Sequence, residues 1–197
     1  MTVALAGLAV LGCGDAPSPA QLLLRGAPTG YVARLDDMPQ PGFAVDRAAA
    51  TATAADLAAG DAAMVRELGA DGMEAGAQAS YFRIVPALAT ANGPIEVISS
   101  AIRFGSLTGA VRAYSAAVQR RDGMAGARAE STGRLGDDAH ADTLVVAGPR
   151  SVQLVQETVT FRVGNVLNTV VVRGRLGGTR LEDALIVARH QAARQGR

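Results

Sequence analysis

The densest group of side chains capable of chemistry lies between residues 137 and 142. Three carboxylates and one imidazole occur within these six positions: Asp137, Asp138, His140 and Asp142. Carboxylate oxygens and imidazole nitrogens are common ligands of divalent metal ions. The spacing matches no established metal motif, and Asp is frequent in loops because its side chain forms turn hydrogen bonds. We therefore expect an ordinary polar loop, with a divalent-metal site as the weaker alternative.

This chain lacks the residues that several enzyme mechanisms require. All 19 basic residues are arginine, so a Schiff-base lysine, a P-loop lysine and a Ser-Lys dyad are excluded. No G-x-S-x-G, G-x-G-x-x-G or Walker A sequence occurs. We expect no cofactor and no enzymatic activity. The alternative is a metal-assisted hydrolase that uses the 137–142 residues.

Composition points to a folded domain rather than a disordered chain. The 197 residues are 49% apolar and 19% charged, with a formal net charge of +1. That length suits a single domain with a short appendage. The apolar fraction is too high for a disordered chain, and the balanced charge argues against a nucleic-acid partner.

Cys13 is the only cysteine, and its surroundings suggest a covalent modification. It follows an apolar run over residues 2–12, which is about half of the roughly 20 residues that a membrane-spanning helix needs. A polar segment rich in Pro and Gly follows it at 14–19. The sequence Val10-Leu11-Gly12-Cys13 resembles the lipobox of bacterial lipoproteins. The alternative is an ordinary apolar strand or helix that happens to contain the cysteine.

The lipobox resemblance implies a domain organisation and a location. Residues 1–12 are then a signal peptide, 13–33 a lipidated cysteine with its flexible tether, and 34–197 a single domain. The thiol of Cys13 would carry the lipid, and the membrane would be a partner through that anchor. We therefore expect a protein held at the extracytoplasmic side of the cell membrane.

Alternating apolar residues predict two β-hairpins, because the central residues of tight hairpin turns favour Asn and Gly. The first joins 79–88 to 95–104 through Asn92-Gly93, and the second joins 159–163 to 166–173 through Gly164-Asn165. In the second hairpin, Phe161 and Val170 are predicted to face the core. Replacement of Thr160 by alanine is predicted to destabilise the fold less than the same replacement of Phe161 or Val170.

Helical spacing and capping residues predict two well-defined helices. One begins after Ser106 and ends at Gly123, and the other follows a capping box at Thr179. Arg120 and Arg121 of the first helix are expected on a solvated face. Three further segments are assigned less strongly: short helices within 46–68, a loop over 124–142 and a short strand over 143–147.

This order of elements predicts an α+β fold. Short connections imply a mostly antiparallel sheet of about five strands with helices packed on it. The signal peptide and the flexible tether precede that domain.

Some short segments carry a second resemblance, which covers residues 34–194. They are Pro41-Gly42-Phe43, Ile102-Arg103-Phe104 with the following Gly109-Ala110, Leu135-Gly136-Asp137 and residues 161–165. The chain is similar in these segments to the extracellular sensor domains of PknH-type receptor kinases and to related secreted lipoproteins. The resemblance implies a PsbP-like fold and an extracytoplasmic binding or accessory role, with no catalytic residue.

These observations favour a non-enzymatic module that binds a small apolar ligand or a protein partner. The sheet face and the small-residue segment 46–76 are the expected binding surfaces. A structural subunit of an envelope complex and the metal-assisted hydrolase are the alternatives.

The lipid anchor leads to a first prediction. Cys13→Ser should release the protein from the membrane and leave the domain folded, because the anchor and the core are joined only by the tether. Membrane fractionation with an alkaline wash, together with circular dichroism of the released protein, measures both effects. Retention of the variant in the washed membrane pellet would contradict the lipid anchor.

Overall fold

A computed structural model describes residues 23–149 and 152–196. The predicted signal peptide and Cys13 lie outside the described residues. Within the described part, no helix is both long enough and apolar enough to cross a membrane.

Seven antiparallel strands form one sheet in the order β1-β2-β3-β7-β6-β5-β4. The strands are β1 (Phe43–Ala52), β2 (Met73–Arg83), β3 (Pro94–Phe104), β4 (Arg128–Glu130), β5 (Asp138–Ala147), β6 (Gln153–Val163) and β7 (Val166–Arg175). The helices are α1 (Ala54–Leu57), α2 (Ala62–Ala70), α3 (Leu107–Asp122) and α4 (Leu181–Ala193). Among the described residues, 3-10 turns cover Pro28–Gly30, Leu35–Asp37 and Leu88–Thr90.

The predicted α+β fold with about five strands is wrong. The described residues form a β-rich fold, with 38% strand and 30% helix around a seven-stranded sheet. Two strands were missed entirely, since β1 was assigned to short helices and β4 to a loop. β5 begins at Asp138, so half of it was also assigned to that loop.

The error at β1 has a physical cause. This edge strand is exposed on both faces over most of its length, so no alternation of apolar and polar residues is required. Its sequence is mostly Ala and Thr, and Ala has a high intrinsic helix propensity. Pairing with β2, which no local pattern reveals, overrides that propensity.

The β6–β7 hairpin is confirmed in the predicted register. Val163 pairs with Val166 around the Gly164-Asn165 turn, and Gly164 has a φ of +56°. A positive φ at the first central residue is what a type II′ hairpin turn requires, and glycine adopts it without steric cost. The two-residue hairpin turn predicted at Asn92-Gly93 is wrong. β2 ends at Arg83, and ten residues, 84–93, connect it to β3.

Both long helices are confirmed, with one change in capping. The Ser106 side chain accepts a hydrogen bond from Gly109 N at 3.0 Å and caps α3. At α4, Asp183 Oδ2 accepts from Arg180 N at 2.9 Å, so the cap lies one residue after the predicted Thr179. Asp183 also places a negative charge in the first turn, where the helix dipole favours it.

One face of the sheet packs against α4, and we call it the α4 face. Its central residues are fully buried valines and Phe161, in contact with Leu185, Val187 and Ala188 of the helix. Polar side chains within this layer bond to one another. Gln191 Nε2 and Gln195 Nε2 donate to Asn168 Oδ1 at 3.0 and 2.8 Å, and Ser99 Oγ donates to Gln191 Oε1 at 3.1 Å.

The opposite face packs against α3, and we call it the α3 face. Phe104, Ile102 and Leu167 of the sheet meet Ala110 and Ala113 of the helix. The 46–76 segment adds a second layer through α1 and α2, where Leu68 is buried. This segment therefore covers core residues through Leu68, whereas most of its small side chains are exposed.

The N-terminal segment crosses the edge of the α4 face. Val32 and Ala33 are buried, Ala33 N donates to Ser99 Oγ at 2.8 Å, and Tyr81 Oη donates to Ala33 O at 2.6 Å. Burial raises the pKa of the Tyr81 phenol, which keeps it a hydrogen-bond donor. The predicted boundary between tether and domain at residues 33 and 34 thus falls inside a packed segment.

Adjacent valines of β7 test the two faces. Val170 is fully buried on the α4 face, whereas Val171 is half-buried on the other. Val170→Ala should lower the free energy of unfolding by about 2 to 3 kcal/mol, and Val171→Ala by about 1 kcal/mol, because burial of the deleted methyl groups and the cavity left behind set the cost. Urea melts of both variants measure the difference. Equal losses would contradict this register.

Candidate functional site

The predicted acidic loop is mostly a β-strand. Asp138, His140 and Asp142 alternate along β5, so their side chains lie on one face of the sheet, and their partners on β6 are Arg162, Thr160 and Thr158. That face is the α3 face. The structure therefore brings the three side chains to one row beneath the end of a helix.

Arg162 holds the first two carboxylates of this group. Its Nη2 lies 2.7 Å from Asp138 Oδ2, and its Nη1 lies 3.4 Å from Asp137 Oδ2. Nη1 also donates to Gly164 O at 2.6 Å, and Asp137 Oδ2 accepts from Gly164 N at 2.7 Å. The arginine and Asp137 thus bind the β6–β7 turn to the segment before β5.

Asp142 and His140 contact the last turn of α3. Arg121 Nε donates to Asp142 Oδ1 at 2.8 Å, and its Nη2 pairs with the other carboxylate oxygen. The Asp142 side chain is 1% exposed. His140 Nε2 lies 3.4 Å from Asp122 Oδ1 without the geometry of a hydrogen bond.

This geometry gives the acidic residues a role in packing. Each of the three carboxylates contacts a guanidinium group, which would compete with a metal ion for these oxygens. Among the described residues, no group of three or more His, Cys, Asp or Glu side chains is placed to hold a metal ion. A metal at Asp137, Asp138, His140 and Asp142 would compete with both arginines.

The sequence interpretation missed the arginines that complete this arrangement. Arg121 was expected on a solvated face, yet it lies over the sheet and binds Asp142. Arg162, which follows the inward-facing Phe161 in β6, is buried beneath α3. The sequence offered one signal for this: Arg162 lies between the apolar residues Phe161 and Val163, and a charged residue in such a strand needs carboxylate partners from elsewhere in the chain.

Glu157 is a buried carboxyl that no sequence pattern indicated. It is 4% exposed on the α4 face of β6, opposite Thr143 and Val172. Thr143 Oγ1 donates to Glu157 Oε2 at 2.5 Å. Burial raises the pKa of Glu157, and the nearby Glu130 and Asp142 carboxylates act in the same direction, while the Thr143 hydrogen bond and Arg128 oppose it.

An apolar cavity lies at the other end of the strands from the β6–β7 turn. We call it the loop groove. It has a volume of about 480 Å³ and lies between the connection from β2 to β3 and the connection from β5 to β6. Its lining is formed by apolar side chains: Pro86, Ala87, Leu88, Ala89, Pro149 and Val152.

Arginines and backbone bonds hold the two walls of the loop groove. Arg175 Nε donates to Ala91 O at 3.0 Å, and Arg83 Nε donates to Pro94 O at 3.0 Å, which fixes the first wall to the sheet. On the second wall, Gly148 N donates to Val152 O at 2.9 Å. The cavity volume lies within the range of small-molecule sites, and such sites are mostly apolar.

Comparison of the chain with models of known protein families and with curated proteins finds no match.

Adjacent arginines of α3 provide a matched test of the ion pairs. Arg121→Met leaves Asp142 buried without its guanidinium partner and should lower the free energy of unfolding by about 3 to 5 kcal/mol. Arg120 pairs with Glu67 at the surface, so Arg120→Met should cost less than about 1 kcal/mol. Urea melts measure both. Similar costs for the two variants would refute the structural role of the Arg121–Asp142 pair.

Glu157 predicts a pH dependence of stability. A carboxyl whose pKa is raised by folding stabilises the folded state at low pH, and this contribution is lost as pH rises through the folded-state pKa. Glu157→Gln stays neutral and can still accept from Thr143. The stability of the variant relative to the parent should therefore increase from pH 4 to pH 7, as measured by urea melts across that range.

The exposed Glu182→Gln on α4 is the control for this measurement. It should show no comparable increase, because its carboxyl is solvated in both states. A constant difference between Glu157→Gln and the parent across the pH range would contradict the buried, neutral carboxyl.

Proposed function

We propose that this protein is a non-enzymatic lipoprotein, anchored through Cys13 at the extracytoplasmic side of the membrane, that binds a small apolar ligand in the loop groove. The observation that carries the binding role is the apolar lining of a cavity of about 480 Å³. The lipobox-like sequence before Cys13 supports the anchor.

The positions of the two ends of the domain support this arrangement. Leu24 N donates to Asn165 Oδ1 at 2.6 Å, so the chain enters the described domain beside the β6–β7 turn. The loop groove adjoins Val152, just before β6 begins at Gln153. The 11 residues of β6 separate these points by about 35 Å, since a strand rises about 3.3 Å per residue. An anchor at the first end would leave the groove facing away from the membrane.

The groove also favours an apolar ligand over a catalytic role. Among the described residues that line it, none carries a side chain that can act as an acid, a base or a nucleophile. The carboxylates of the 137–142 group lie on the α3 face in contact with arginines, so the metal-assisted hydrolase gains no support. The likeness to PknH-type sensor domains agrees with a binding or accessory role and is likewise part of this proposal.

Native mass spectrometry of protein purified from its own membrane tests the binding role. The parent protein should carry a non-covalent apolar molecule in addition to any lipid on Cys13. Leu88→Glu places a charge in the groove lining and should reduce the occupied fraction about tenfold or more, since an unpaired charge is costly in an apolar site.

Val111→Glu is the matched control, because Val111 is an exposed apolar residue on α3, away from the groove. It should retain the bound molecule at the parent level. A parent protein free of bound molecules, or equal occupancy in Leu88→Glu and the parent, would contradict the ligand role. That result would favour the alternative, in which the protein is a subunit of an envelope complex and the groove contacts a protein partner.

A further inference from the structure

A second cavity lies at the end of the domain where the chain enters. It has a volume of about 400 Å³ between the 134–136 segment and the second half of α4. We call it the arginine cavity, because Arg134 and Arg189 lie on its two sides, with Leu135, Gly136 and Ala192 between them. Gly136 has a φ of +60°, and a Cβ there would collide with Arg162 O, so the tight turn beside the cavity requires glycine.

The charge presented by the arginine cavity is positive. Arg134 is exposed and forms no hydrogen bond or ion pair with any residue in the described ranges. Within the described ranges, Arg189 pairs with the exposed carboxylate of Glu182, at 2.6 Å, and a surface pair of this kind exchanges readily with other partners. The two guanidinium groups can therefore turn toward an external anion.

Neighbouring carboxylates are already engaged by other cations. Asp137 and Asp138 contact Arg162. Asp37 contacts Arg194 at 2.7 Å, and His190 Nδ1 lies 3.6 Å from it. The ion pairs of these acids are with Arg162 and Arg194 rather than with the arginines that line the cavity.

The arginine cavity shares its end of the domain with the start of the described chain. Asp137, next to Gly136, accepts a hydrogen bond from Gly164 N, and the adjoining Asn165 bonds to Leu24. Leu23 is ten positions after Cys13, and ten residues span at most about 35 Å. Arg25, which is also exposed, lies at this end as well.

We propose that the arginine cavity binds the phosphate of an anionic phospholipid headgroup in the membrane that holds the protein. This inference rests on the lipid anchor of the proposed function. Guanidinium groups bind phosphate oxygens through paired N–H donors, and anionic lipids attract arginines close to the bilayer. Binding orients the domain so that the C-terminal end of α4 and the 134–136 segment lie on the bilayer. The loop groove then faces outward.

Amide hydrogen exchange of the lipidated full-length protein tests this contact. The protein is reconstituted in nanodiscs of phosphatidylcholine alone, or of phosphatidylcholine mixed with phosphatidylglycerol. Exchange of amides in residues 131–136 should be several-fold slower in the mixed discs. The slowing should disappear at about 0.5 M salt, where the Debye length falls to about 4 Å.

Variants assign the effect to the two arginines. Arg134→Gln alone and Arg134→Gln with Arg189→Gln should both weaken the slowing, and the first variant alters an exposed side chain without internal partners. Arg47→Gln with Arg180→Gln is the control, since both arginines are exposed and Arg180 lies at the opposite end of α4. Identical exchange in the two disc types, or an equal loss in the control, would overturn the proposal.

Two further arms separate the proposal from its alternatives. Excess inorganic phosphate that slowed exchange equally in phosphatidylcholine discs would assign the cavity to a soluble anion and overturn the membrane contact. If Cys13 carries no lipid, the anchor fails, and flotation of the same full chain with vesicles tests the cavity by itself. Arginine-dependent flotation with phosphatidylglycerol, but not with phosphatidylcholine, would support it, and flotation with neither would overturn it.

Discussion

β6 is buried on both faces along most of its length, and the remaining architecture follows from this constraint. A strand buried on both faces needs a covering layer on each side, which α4 and α3 supply. The polar side chains in these layers then require internal partners. Asn168, Gln191 and Gln195 bond to one another under α4, while Arg162 takes carboxylates and a backbone carbonyl under α3.

Arginine is the residue that attaches the outer segments to this sheet. Arg103 Nη1 donates to the carbonyls of Arg25 and Gly26, and Arg175 holds the connection between β2 and β3 through Ala91 O. Arg121 joins α3 to β5 through Asp142. A guanidinium group has five donors in a rigid fork, so one side chain can satisfy two acceptors at once. The complete absence of lysine suits a structure that depends on such paired contacts.

Local patterns predicted the elements whose burial is one-sided or whose turns are short. The Gly164-Asn165 turn and the Ser106 cap are examples, because glycine conformation and helix capping are properties of a few adjacent residues. β1 escaped prediction because its faces are open, and the first half of β5 because Asp138, His140 and Asp142 are polar yet face inward. Their partners Arg121 and Arg162 are distant in sequence. The acidic group was thus recognised from spacing, while its role depended on tertiary contacts.

The N-terminal segment that crosses the α4 face links the start of the chain to its end. Val32 O accepts from Arg194 Nη2, 162 positions later, and Ala33 depends on Ser99 and Tyr81. During synthesis, residues 32 and 33 emerge long before any of their partners. Contacts this distant in sequence form late, because a long loop must close before they can stabilise the chain. Completion of the fold therefore waits for α4, and a nascent chain lacking its last helix keeps this apolar segment available to chaperones.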